Sequence, residues 1–316
     1  MTTRRIRRVV CATLWGSALA VSSLSASSLP ASAAGPDSIL SSDGSAVPSA
    51  VGAARGLASF AGTGGGSSGG SGGVVVSPGA SDPLDGFSAP GSVIGSDGRT
   101  QITATTTFPY RAIVEILFKQ TAGGGYYGCT GWMIGKDTLA TAGHCVHKGS
   151  GGSAGFYDRT TYILTPGRNA ATKPYGTCKA RRLYTVAGWA NSNDTNYDYG
   201  AIKLDCTVGT KTGWFGFYWQ SASLTGSPAT VTGYPCDKPS GTMWTMSGTV
   251  ASTQTRKITY TMDTYGCQSG SPVWRVHPSY GRAAMAIHTN GGSSSNSGTR
   301  LTEAAVANLR SWRDAP

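Results

Sequence analysis

The sequence predicts an all-β body, a sandwich or barrel, finished by one C-terminal helix. Three observations carry that prediction. After residue 100, short runs of β-branched and aromatic residues alternate with Gly, Asn, Asp, Ser and Pro, the pattern of many short strands joined by turns. Charged residues are 13% of the 316 and Gly numbers 46, against roughly 25% charged and ~7% Gly in an average protein, a poor composition for a helical bundle or coiled coil. Of the 29 aromatic residues only Trp15, Phe60 and Phe87 precede residue 92, so the means to build a core lie in the last 225 residues.

Taken in order, residues 1–33 read as a signal peptide. Arg4, Arg5, Arg7 and Arg8 form its basic start, an apolar stretch follows, and Ala31-Ser32-Ala33 fits a small-residue cleavage site. Export of this kind ends in an oxidising, extracellular compartment, so a secreted protein is expected. Residues 34–91 are rich in Ser, Gly, Ala and Pro. With two aromatic residues the stretch cannot bury enough apolar surface to offset the entropy of ordering, and it is predicted to be a disordered propeptide or linker.

In the body, strands are expected at 112–118, 132–134, 138–141, 162–165, 201–204, 229–232, 257–262 and 285–287. One helix is expected from 303 to about 312, with Thr302 as its N-cap and Val306, Leu309 and Arg310 at helical spacing. No later segment offers the ~20 apolar residues of a membrane span. The net charge of +11 is scattered rather than gathered into a patch, so neither a membrane nor a nucleic acid is expected as partner.

Cys129, Cys145, Cys178, Cys206, Cys236 and Cys267 are even in number in an exported chain, so disulfides are the default. Sequential pairing, 129 with 145, 178 with 206 and 236 with 267, would close loops of 16, 28 and 31 residues. In the chain-entropy model each would contribute roughly 3 to 4 kcal/mol. No Cys-x-x-Cys pair occurs and His144-Cys145 is not spaced as a ligand pair, so no metal site is expected.

Three segments carry candidate chemistry. Thr141-Ala142-Gly143-His144-Cys145 closes an apolar run that follows Cys129-Thr130-Gly131, and a 129–145 disulfide would give His144 the rigid backbone a general base needs. In Gly266-Cys267-Gln268-Ser269-Gly270-Ser271-Pro272-Val273 a Ser lies in a Gly-flanked turn entering a strand, where substrate and converging backbone N–H groups could approach it. In Asn196-Tyr197-Asp198-Tyr199-Gly200 an Asp stands at the mouth of an apolar strand, with Asp194 and Asp205 as competitors. Each also has a plain reading, as a strand-capping His, a turn Ser and a solvated Asp. Two Gly-x-Ser-x-Gly matches, 69–73 and 151–155, sit in Gly/Ser tracts without the flanking strand and helix of a nucleophile elbow.

The order His144, Asp198, Ser269 with these flanks resembles the chymotrypsin-like serine proteases. The wording Asp263-Thr264-Tyr265-Gly266, Gly270-Ser271-Pro272 and Ile287-His288-Thr289-Asn290-Gly291 is similar to their bacterial glutamyl endopeptidase branch. The likeness starts at Ser92-Val93-Ile94-Gly95-Ser96, which resembles the mature start of that branch, and runs to the C-terminal helix. It implies two six-stranded antiparallel barrels, residues 92–212 and 213–316, with the triad between them. It implies that Ser269 attacks the peptide carbonyl, that His144 moves the proton, that Asp198 orients His144, and that the N–H groups of Cys267 and Ser269 bind the oxyanion.

The resemblance also implies that His288 and Thr264 bind a Glu or Asp side chain, helped by the α-amino group of Ser92, while Thr289 to Gly291 pair with the substrate backbone. Residues 34–91 would then be an inhibitory propeptide cut after Gly91. One departure stands out: the family usually has Gly where this chain has Cys267, and a bond to Cys236 would hold that turn in place. Two other readings compete. Asp263, six residues before Ser269, would select Lys or Arg as in trypsin-like enzymes if it faced the pocket, though an outward turn position is expected of it. A catalytically silent, protease-like binding protein that recognises peptides or surface glycans is the other. Polypeptide substrates, a monomer and no organic cofactor are expected, and no loop specifies a structural Ca²⁺.

Overall fold

The computed structural model describes residues 1, 35–47, 60–63 and 91–316. The expected signal peptide and most of 34–91 lie outside the described residues. The chain divides after Ala33, and the unit Ala34–Pro316 holds everything that follows.

Two curled β-sheets dominate, as a chymotrypsin-like fold requires. The first has seven strands in the order Ile39–Ser41, Ala180–Val186, Gly200–Leu204, Thr138–Thr141, Tyr126–Met133, Ile113–Lys119 and Ile163–Pro166, all antiparallel. The run Ile113–Lys119 is buried at every position but the last. Its Glu115 is tolerated there because Arg168 lies 2.6 Å away as an ion-pair partner.

The second sheet runs Ser252–Thr253, Lys257–Tyr260, Asn296–Arg300, Gly281–Asn290, Pro272–His277, Pro228–Gly233, Met243–Thr249 and Thr100–Ile102. A short strand, Gly216–Phe217, joins it parallel to Gly281–Asn290, so this sheet exceeds six strands and is not purely antiparallel. Residues Gly91–Ser92 pair with Thr264–Tyr265. Through Thr100–Ile102 the segment 91–102 is attached to the second sheet, although in sequence it precedes every strand of the first but Ile39–Ser41.

The C-terminal helix Glu303–Asp314 starts at Thr302, whose hydroxyl accepts from the N–H of Ala305. Val306, Leu309 and Trp312 are buried, and Trp312 stacks on Tyr184 of the first sheet at 5.8 Å. Lys203 Nζ donates to the carbonyl of Arg313 and pairs with Asp137, each at 3.0 Å.

For the described residues 35–47 and 60–63, the expectation of disorder needs correction. Ile39–Ser41 extends the first sheet, with Ile39 opposite Val186 and Ser41 opposite Tyr184. Asp37 receives Arg256 at 2.6 Å and the hydroxyl of Tyr199 at 3.0 Å, and its carbonyl accepts from Asn308 Nδ2. Farther along, Phe60 bridges to Phe217 with ring centroids 5.2 Å apart. Its composition denies this segment a core of its own. It does not need one, because the edge of Ala180–Val186 supplies its ladder and the body supplies its ion pair. Replacing Asp37 with Ala is expected to cost about 1–2 kcal/mol, read as a lower Tm together with faster amide exchange at Ile39–Ser41.

Candidate active site

His144 lies in a single 3₁₀ turn, Gly143–Cys145, immediately after the strand Thr138–Thr141. Asp198 precedes Gly200–Leu204, the neighbouring strand, in which Gly200 is opposite Thr141. Two adjacent strand ends therefore deliver the two side chains to one place. The carboxylate grips His144 twice: Oδ1 accepts the backbone N–H at 2.9 Å and Oδ2 meets Nδ1 at 2.8 Å. An ionised carboxylate only accepts, so Nδ1 carries the proton and Nε2 is left as the basic nitrogen. A Cβ on Gly143 would come within 3.1 Å of Asp198 Oδ1 and 3.0 Å of the Trp189 ring, so a larger residue would crowd this grip.

Burial alone would lower the His144 pKa, but the charge and hydrogen bond of Asp198 outweigh it and the net shift is upward from 6.5. The Asp198 side chain is 2% exposed and that of His144 31%, so the imidazolium keeps some hydration while its partner does not.

The turn bearing Ser269 comes from the second sheet and is pressed onto the first. Thr130 holds it at two points, its N–H donating to the Ser269 carbonyl at 2.8 Å and its hydroxyl to the Cys267 carbonyl at 3.0 Å. Gly270 has φ +91°, and a Cβ there would fall 2.1 Å from the carbonyl oxygen of Thr130 and 2.2 Å from Thr141 Oγ1. Only glycine satisfies both limits. The Cys129–Cys145 disulfide passes beside this contact, with Cys145 Sγ 3.6 Å from the Ser269 carbonyl, so the Ser269 turn lies next to the residue following His144.

Within the turn, the N–H groups of Gln268, Gly270 and Ser271 are taken by the carbonyls of Tyr265, His288 and Gln268. Those of Cys267 and Ser269 have no acceptor among the described residues. The carbonyls sharing their peptide planes, of Gly266 and Gln268, accept from Cys236 and Ser271. Since N–H and C=O oppose each other across a trans peptide, both free donors are turned away from those bonds. Cys267 reaches this conformation at φ +75° and is disulfide-bonded to Cys236. The third disulfide joins Cys178 and Cys206.

His288 sits directly behind the turn, its carbonyl receiving Gly270 N–H and its own N–H donating to Ser271. It is buried, and its Nδ1 lies 2.7 Å from the hydroxyl of Tyr260. Burial first, and then the charge of His144, push its pKa down to about 3, so the ring is neutral at physiological pH. Thr264 is fully buried and its hydroxyl has no partner among the described residues. Thr289 is buried and accepts from Lys257 Nζ at 3.2 Å. Ser92 is packed against Gly291, where a Cβ would approach its Oγ to 2.0 Å, and its carbonyl accepts from Asn296 Nδ2.

Asp263 is not the outward turn residue that was expected. It is 1% exposed, and its two oxygens accept the backbone N–H groups of Ile94 and Gly98, each at 2.8 Å. It fastens the segment after Ser92 and offers no free carboxylate. Four residues at or beside the site had escaped the sequence reading: Thr130, Tyr260, Lys257 and Arg99. For Tyr260 a signal existed, because Ile258 and Tyr260 alternate with more exposed neighbours along their strand.

Among the described residues, two groups have metal-ligand proximity, Cys129 with His144 and Cys145, and Cys178 with Asp205 and Cys206. In both, the two sulfurs are spent in a disulfide, so neither group presents the thiolates of a zinc site. No helix among the described residues is long and apolar enough to cross a membrane.

Residues 129–278 match the trypsin-like peptidase domain. The chain is 48% identical over 232 residues to the glutamyl endopeptidase of Bacillus licheniformis, covering 71% of this chain and 70% of that one. It is 49% identical over 224 residues to a Bacillus subtilis protein named extracellular metalloprotease, again covering 71% and 70%. A solved structure of a Glu endopeptidase in complex with MPD superposes with a TM-score of 0.61 at 30% identity, covering 71% of this chain and all of that one.

The His144–Asp198 pairing sets a pH test. With the folded pKa raised, the pair's contribution to stability is fully present below about 6.5 and fades as pH rises through the folded value. An NMR titration is expected to place the His144 midpoint above 6.5, and Asp198→Asn to bring it below that of the unsubstituted protein.

Proposed function

The chain belongs to the chymotrypsin-like serine proteases, and from that premise we propose that it cuts polypeptides after glutamate and aspartate. It is a serine endopeptidase; the acidic preference, the residue roles and the maturation described here are the proposal. The observation that carries the roles is the pair of unfilled amide donors at Cys267 and Ser269, on a turn clamped beside a His whose tautomer is fixed by Asp198.

On this reading Ser269 Oγ attacks the scissile carbonyl and His144 Nε2 takes its proton. The developing oxyanion is bound by the two free N–H groups, the tetrahedral species collapses to an acyl-enzyme, and His144 returns the proton to the departing amine. Water then attacks the acyl carbonyl, His144 Nε2 takes its proton and passes it to Ser269 Oγ as the ester bond breaks, and the acid product leaves. Asp198 keeps Nδ1–H in place and stabilises the transient imidazolium.

For specificity, the neutral His288 and the unpaired Thr264 hydroxyl are donors suited to a carboxylate, and Lys257 adds positive charge beside Thr289. The ammonium of Ser92 joins them once the chain is cut after Gly91, which makes the preceding segment an inhibitory propeptide of an exported enzyme. The Lys/Arg reading through Asp263 is disfavoured because both oxygens of that residue are already bonded to backbone.

A mass-spectrometric map of cuts in an unfolded protein tests this, with Ser269→Ala as the blank. Cuts after Glu and Asp that vanish in the blank are expected, with turnover reduced by about four to six orders of magnitude. Cuts after Lys or Arg would overturn the assignment. Asp263→Asn is expected to lower stability by about 1–3 kcal/mol without moving the cut sites, read by thermal unfolding and the same map.

A further inference from the structure

We propose that Cys236 is a positioning residue for catalysis: its disulfide to Cys267 holds the first oxyanion donor in a backbone conformation that the turn would not keep by itself. The inference rests on the reading of the Cys267 N–H as an oxyanion donor. Only the main chain of Cys267 faces the chemistry, so its side chain is free for another task, and the task it performs is to bond Cys236.

The conformation needs such help. Cys267 sits at φ +75°, in the left-handed region that L-residues with a Cβ avoid and glycine enters freely. A residue there persists only where its surroundings over-determine it. Three ties do so. Thr130 Oγ1 fixes the carbonyl of Cys267, the N–H of Cys236 fixes the carbonyl before it at 2.9 Å, and the disulfide fixes the side chain. Cys236 supplies two of the three.

A second staple runs parallel to the first. The buried guanidinium of Arg99 bonds Asp237, the residue after Cys236, at 3.0 Å, and Gln268, the residue after Cys267, at 3.4 Å. Gln268 Oε1 also accepts the N–H of Tyr265. Arg99 is itself held by Asp97. The loop carrying Cys236 is thereby a fixed platform, able to transmit its position through the disulfide to the turn.

The test is a series at position 267 in a Cys236→Ser background, with Gly, Asn and Ser in turn, all lacking the crosslink equally. Measured on a peptide ester, kcat is expected to fall in the order Gly, Asn, Ser, following each residue's tolerance of the left-handed region. The Ser variant should lie about 100-fold below the native enzyme, the order of a lost oxyanion donor. Gly should recover at least about tenfold of that loss, with KM within about threefold throughout. A merely structural crosslink predicts lower Tm in all three and no ordering of kcat. Equal kcat in the Gly and Ser variants would overturn the proposal, and so would a series in which no member accumulates as folded protein. If Ser alone fails to fold, the Gly-to-Asn ratio decides. Ser269→Ala run alongside separates the two levels: turnover there within about tenfold of the native enzyme would remove the catalytic reading itself, whereas a Ser269→Ala variant about four to six orders down with unordered kcat in the series removes only the role of Cys236.

Discussion

Thr130 joins the two sheets where the chemistry is proposed to happen. It belongs to the first sheet, yet its N–H and its hydroxyl bind the carbonyls of Ser269 and Cys267 on the second. Its hydroxyl also accepts the N–H of Tyr234, and its carbonyl accepts Thr141 Oγ1. Thr130 is fully buried, so each bond lost would leave a polar group without water to replace it. Everything else in the cleft is referred to this point. Gly270 is glycine because the Thr130 carbonyl leaves no room for a Cβ, and the free amides at 267 and 269 face outward because their neighbouring carbonyls are held behind.

The same small region pushes the proton affinities of two imidazoles in opposite directions. His144 faces a buried carboxylate, and its proton affinity rises; His288 faces a phenol in a dry setting beside a second potential cation, and its affinity falls. A proton relay needs a group that charges readily, and a hydrogen-bond donor to a substrate carboxylate needs one that does not flicker between states. Lys257 sharpens the contrast. Its own pKa is lowered by burial and held up in part by Asp198, and its charge opposes protonation of both histidines.

What the sequence disclosed and what it hid follow from the range of the interactions. His144, Asp198 and Ser269 each carry a local signature, a strand end or a Gly-flanked turn, and the strands made of β-branched runs were legible for the same reason. The strand Ala180–Val186 was not, because Arg181 and Arg182 break its apolar pattern, nor was Met243–Thr249, whose outer half is exposed and polar. Asp263 was misplaced because its partners lie 169 and 165 residues away, at Ile94 and Gly98. Thr130 and Arg99 act across 137 and 169 residues, a distance over which no local pattern survives. The segment 35–47 was misjudged for a related reason: composition tests self-sufficiency, and an added edge strand is not self-sufficient.

The placement of Ser92 bears on what maturation would change. In the uncut chain Gly91–Ser92 already lies along Thr264–Tyr265, Asn296 already holds the Ser92 carbonyl, and Asp263 already holds Ile94 and Gly98. The wall of the proposed pocket therefore has its shape before any cut. What the proposed cleavage after Gly91 would add is charge, an ammonium in place of a neutral peptide nitrogen. A neutral His288 and an unpaired Thr264 hydroxyl can donate to a carboxylate, but burying that carboxylate without an adjacent cation is costly. On the proposed reading, processing would then act on affinity for acidic side chains through electrostatics, with the fold as its preassembled frame.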